Sequence, residues 1–127
     1  MKKITFLFVA ILILSGPFLL KAYSAEIELL TSDIACLEDN KIVVHYSLKS
    51  TYDFEYPNVT LGFKIVEEGK TVACKELKVV VPKEADGSEI NEFVIDVPCK
   101  GKNLTVQSVV FYYIKRYKID EWFAGCN

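Results

Sequence analysis

The chain has 127 residues, 51% of them apolar, 13% aromatic and 25% charged, with a formal net charge of -2. That composition excludes a disordered, collagen-like or multidomain protein and fits one globular domain. Residues 1–25 carry Lys2, Lys3 and Lys21 and no acid, so the remainder holds 12 bases against 17 acids. A balance near -5 offers no general attraction to nucleic acid or to an anionic membrane surface.

The N-terminus has the layout of an export signal. Met1-Lys2-Lys3 is a short basic region, and residues 4–14 form an apolar run of 11 broken only by Thr5. Ser15-Gly16-Pro17 interrupts a helix there, and cleavage after Ser24 places small Ala22 three residues before the cut. The expected organisation is a signal peptide over residues 1–24 and one domain over 25–127. Contact with a membrane is then expected only transiently, through the signal peptide, and the destination is the cell exterior or a periplasm. An uncleaved anchor over residues 4–20 is the competing reading, against which Gly16-Pro17 counts.

From Glu26 onward the apolar residues recur with period 2, and turn signals follow every eight to fifteen residues. The first strand spans residues 27–36, and Glu38-Asp39-Asn40 turns into a second in which Ile42, Val44, Tyr46 and Leu48 share a face. In the third, Val59, Leu61, Phe63 and Ile65 face the core while Thr60, Gly62 and Lys64 face away. Glu67-Glu68-Gly69-Lys70 is a hairpin turn into a strand over 72–81, closed by Pro82. A fifth strand covers 90–97. A sixth covers 104–114, with Leu104, Val106, Val110, Tyr112 and Ile114 as its stripe. A short seventh is expected over 117–123. The predicted fold class is therefore all-β, a seven-stranded antiparallel sandwich of two sheets. In strand number and spacing it resembles the immunoglobulin and fibronectin type III class, although the cysteine pair and core tryptophan of antibody domains have no counterparts here.

Four cysteines in an exported chain, with gaps of 38, 25 and 27 residues, read as a disulfide framework. Strands alternating in direction bring Cys36, Cys74, Cys99 and Cys126 to one end of the sandwich. Cys36 with Cys126 and Cys74 with Cys99 is the favoured pairing. Cys36 with Cys99 is the rival, because the first, second and fifth strands of such sandwiches usually share a sheet. The long gaps and a single histidine argue against a zinc site, and no C-x-x-C suggests a redox thiol.

Catalytic signatures are missing from the sequence. His45 has no Ser or Cys beside it in an activating motif, and no G-x-S-x-G, H-E-x-x-H or phosphate-binding glycine loop occurs. The expectation is a non-enzymatic protein-binding or adhesion-type module without cofactors. Its partner would be a protein or cell-surface component, met through three loops at the end opposite the cysteines. These are residues 51–57 with Tyr52, Phe54 and Tyr56, residues 83–88, and residues 115–118 with Arg116 and Tyr117. The opposed expectation is that the aromatics close the bottom of the core while Asp53 and Glu55 pair with the basic loop. A lipid or small-ligand carrier and a structural subunit assembling through an edge strand are the alternatives. Two sequons, at Asn58 and Asn103, matter only in a eukaryotic secretory pathway.

Overall fold

The computed structural model describes residues 26–126; the expected leader and its cleavage after Ser24 lie outside them. Six strands and one helix follow in order: β1 (Ile27–Glu38), β2 (Lys41–Ser50), β3 (Tyr56–Glu67), β4 (Lys70–Val81), β5 (Asn91–Asp96), β6 (Leu104–Tyr112) and α1 (Arg116–Trp122). They form two antiparallel three-stranded sheets, β1-β2-β5 and β4-β3-β6. The expected sandwich of two antiparallel sheets is present.

Alternation decides the core. Val59, Leu61, Phe63 and Ile65 of β3 meet Ile42, Val44 and Tyr46 of β2 between the layers, all but Tyr46 essentially inaccessible. Tyr46, Phe63 and Phe93 form a ring cluster with centroids 4.7 to 6.3 Å apart. The β3-β4 hairpin turns on Glu68 and Gly69, both with positive φ, and closes with Glu67 opposite Lys70. Glycine takes that conformation without penalty, and Glu68 is carried into it by the two-residue turn.

Four expectations need correction. The C-terminal segment is a helix and not a seventh strand, so the sandwich has six strands among the described residues. Its spacing explains why. Ile119, Trp122 and Phe123 fall at i, i+3 and i+4 on one helical face, and Arg116 donates to Asp120 one turn on at 2.9 Å. That face lies on the outer side of the β4-β3-β6 sheet, so Thr60 and Gly62, expected toward solvent, are buried beneath it. Ile114, expected to complete the stripe of the sixth strand, falls past β6 and is about half exposed.

The disulfides are Cys36–Cys99 and Cys74–Cys126, which corrects the favoured pairing and matches the rival. Cys36 leaves β1 and Cys99 follows β5, two strands flanking β2 in one sheet, with Cα atoms 5.9 Å apart. Cys74 lies on the outer phase of β4 with Glu76, the side on which the helix sits, so Cys126 reaches it just after the helix ends. Two such bonds fit an oxidising, extracellular environment.

Candidate functional site

The end of the sandwich that carries the β2-β3 and β4-β5 connections is built from four rings. Tyr52 packs on Phe54 (centroids 5.0 Å), Tyr56 (5.3 Å) and, edge-on, Tyr112 (6.2 Å), while Phe54 stacks on Tyr56 at 5.9 Å. Tyr52, Tyr56 and Tyr112 are half-buried against the core, and the hydroxyl of Tyr112 accepts the Ile27 amide at 3.3 Å. Burial, with the neighbouring hydroxyls of Tyr112 and Tyr56 adding to it, pushes the Tyr52 phenol above its ordinary value and keeps it neutral. Phe54 differs from the other three in being 48% exposed, and Asp53 and Glu55 beside it face solvent.

The connection over residues 83–88 is pinned to the same place. The Glu84 amide donates to the Tyr52 carbonyl at 2.9 Å and the Ser50 amide to the Ala85 carbonyl at 2.9 Å, while Lys49 and Asp86 form a bridge. Asp86 accepts both the backbone and the hydroxyl of Ser88, at 3.0 and 2.6 Å. The Ser88 hydroxyl, with its amide, holds the Asp86 carboxyl below the usual carboxylate range. Two of the three expected loops are thus brought together and made rigid by backbone hydrogen bonds.

The third is placed differently. Arg116 and Tyr117 open the helix, and Arg116 makes a two-pronged pair with Glu76, Nη1 to Oε2 at 2.6 Å and Nη2 to Oε1 at 3.1 Å. Its guanidinium, expected at the recognition surface, grips a carboxylate of this chain and is thereby raised further above its already high ordinary value. The hydrogen bond from Arg116 holds the Glu76 carboxyl below its ordinary value. A shallow cleft of about 340 Å³ still joins this region to the aromatic end, bordered by Pro57, Asn58, Tyr113, Ile114 and Arg116.

Sequence reasoning missed two features. Tyr113, with positive φ and 94% exposed, begins an apolar collar continued by Ile114 and Tyr117. Its signal was the run Phe111-Tyr112-Tyr113-Ile114, longer than one strand face can bury. On the outer side of the other sheet, His45 lies between two carboxylates, Nδ1 to Asp33 at 2.6 Å and Nε2 to Glu92 at 3.2 Å. Strand register creates this row, since Asp33, His45 and Glu92 are directly opposite one another across β1, β2 and β5. The two carboxylates lie against different ring nitrogens, so the three side chains form one row across the outer face of the sheet. Among the described residues no cluster of three or more His, Cys, Asp or Glu side chains is arranged to hold a metal ion.

Fold and site together define a two-disulfide β-sandwich closed at one end by aromatic rings and carrying a helix on one outer face. Comparison with protein-family models, curated proteins and solved structures gives no significant match.

Proposed function

We propose that the protein is an exported, non-enzymatic binding module of immunoglobulin or fibronectin type III type that recognises a protein or cell-surface partner through its aromatic end. Support for the class comes from strand order: β1-β2-β5 facing β4-β3-β6 is the arrangement of such sandwiches with the last strand replaced by a helix. The basic and apolar layout of the sequence over residues 1–24 and the two disulfides support export. The observation that carries the binding reading is Phe54, an exposed ring of the 51–57 loop stacked on an ordered aromatic base. A ring already ordered loses little entropy when a partner covers it, which is what makes aromatic residues good anchors.

The supporting rings divide the labour. Tyr52 and Tyr56 serve as lids over the core and as the platform for Phe54, so their removal affects stability first. Phe54→Ala is the clean test. The mature, oxidised protein is immobilised and exposed to native extracellular or periplasmic material beside this variant. The expected result is loss of a specifically retained species, at least about tenfold in affinity, with the melting temperature unchanged. Equal retention by both proteins would remove the aromatic end as the recognition surface. The carrier alternative lacks comparable support, because Phe63, Ile42, Leu61 and Ile65 fill the space between the sheets.

A further inference from the structure

Strand β5 pairs with β2 only as far as Asn91 opposite Tyr46, and the next contact along β2 is the bridge of Lys49 with Asp86. Residues 87–90 stand off from the ladder between these points. The sandwich is open at its margin there, where a cavity of about 480 Å³ is walled by Val79, Pro82 and Ala85 and reaches Leu48 and Tyr46 of β2. Leu48, Val79 and Ala85 are partly buried against the core, so the walls are apolar. The volume is within the range that small-molecule sites occupy. The connection over residues 83–88 that forms one side is held by the backbone bonds of Ala85 and Glu84 to Ser50 and Tyr52, which keeps the cavity formed.

Two chemical features select an occupant. Tyr46 is only 6% accessible, yet among the described residues its hydroxyl makes no hydrogen bond, and neither does the side chain of Asn91, which borders the same cavity. Buried polar groups are nearly always bonded, so an unpartnered one at a cavity wall points to a ligand. Burial pushes the Tyr46 phenol above its ordinary value and keeps it a neutral donor. The mouth is acidic: Glu84, Asp86 and Glu89 border it, all exposed, with no Lys or Arg among the lining residues. None of the three carboxylates has an ion-pair partner among the described residues, and Ser88 holds that of Asp86 ionised. We propose that this cavity binds a small organic cation with two ends, an ammonium met by the acidic mouth and an apolar body whose hydroxyl reaches Tyr46. An anion would meet three carboxylates and no base, and a purely apolar guest would leave Tyr46 unbonded. A ligand hydroxyl both donates and accepts, so it satisfies Tyr46 in either sense. Hydroxyaryl alkylamines have this layout.

The cavity does not depend on Phe54, and its test is separate. Three probes are titrated into the mature, oxidised protein and followed by ligand-observed NMR: tyramine, phenethylamine, which lacks the hydroxyl, and 3-(4-hydroxyphenyl)propionate, which replaces the ammonium with a carboxylate. Tyramine should bind with a Kd of about 1 mM or tighter, phenethylamine at least about threefold more weakly, and the propionate not at all up to about 10 mM. Tyr46→Phe should bring tyramine down to phenethylamine without lowering the melting temperature, because the hydroxyl it removes has no partner within the fold. Glu84→Gln with Glu89→Gln, both exposed, should weaken both amines at least about fivefold and leave the fold intact. Phe54→Ala should leave amine binding unchanged. No binding of tyramine up to about 10 mM, equal binding of the propionate, or amine binding indifferent to both sets of variants overturns the proposal. A clear loss of stability in Tyr46→Phe would also overturn it, since the hydroxyl would then be engaged within the fold.

Discussion

Gly62→Ala tests the seat of the helix most directly. Gly62 is in the middle of β3 with its outer side under Trp122, and a Cβ there would lie 2.8 Å from the Trp122 ring and 3.0 Å from both Phe123 and Val109. Atoms do not sit that close, so the indole or the strand must move. Trp122 has little freedom to yield. Phe123 packs edge-on at 4.8 Å, Phe111 flanks it at 6.1 Å, Lys64 lies over the ring at 4.2 Å, and Cys126 is tied to Cys74 four residues on. Overpacking of this kind costs about 1 to 3 kcal/mol, and replacing glycine returns about 0.4 to 1 kcal/mol through the unfolded chain. A net loss of about 1 to 2 kcal/mol is expected, or roughly 5 to 15 °C in melting temperature for a domain of this size. Urea unfolding followed by the fluorescence of the single tryptophan reads both quantities, because the native emission should also shift as the indole is displaced. Unchanged stability together with unchanged emission would refute the placement of the helix on this face.

Other outcomes follow from the clamps and charges. Cys74→Ala with Cys126→Ala should release the helix and expose Trp122, while Cys36→Ala with Cys99→Ala should loosen β1. The loops these bonds close span 52 and 63 residues, so each pair should cost up to about 4 kcal/mol in chemical denaturation. Glu76 has a folded-state pKa below its ordinary value, so its contribution is present above the ordinary value and lost as pH falls through the lowered one. Stability curves for the wild type and Glu76→Gln should therefore differ above the ordinary glutamate pKa and converge only as pH falls below the lowered one; a difference growing toward acid pH would contradict the Arg116 pairing.

The two-sheet core was legible because strict alternation over eight residues or more allows only one buried phase. In β3 a slip of one residue would exchange Leu61, Phe63 and Ile65 for Thr60, Gly62 and Lys64, so no other register buries the apolar set. The helix was obscured by the same habit of reading. Tyr117, Ile119 and Phe123 fit a period of 2 if Glu121 is forgiven, yet Ile119, Trp122 and Phe123 fit a helical face without exception. Its docking surface was hidden because small and polar residues on an outer sheet face look like a solvated phase. Gly62 shows the other meaning, a flat place where a large ring can rest. The wrong disulfide pairing came with the wrong strand, since a strand at residues 117–123 would carry Cys126 along the sheet and a helix carries it across. At the aromatic end the sequence marked the right residues without showing that Tyr52 and Tyr56 lean inward and Phe54 outward, a distinction decided by the packing of Tyr112 beneath them.

The two disulfides hold the parts that the core between the sheets holds least. Strand β1 is an edge strand with three acids and two shifts, and Cys36–Cys99 fixes its far end to the chain just beyond β5. The helix has seven residues, far fewer than an isolated helix needs to persist in water. It is held at its first residue by Arg116 on Glu76 and beyond its last by Cys126 on Cys74, two outward residues of the same strand. Between these clamps Ile119 is buried and Trp122 covers Gly62. A segment tied down in this way cannot swing round to pair with β6. The fixed helix and the three-stranded second sheet are therefore two consequences of one placement: the bond that secures the C-terminal segment to the outer face of β4 also keeps that segment from extending the sheet beside β6.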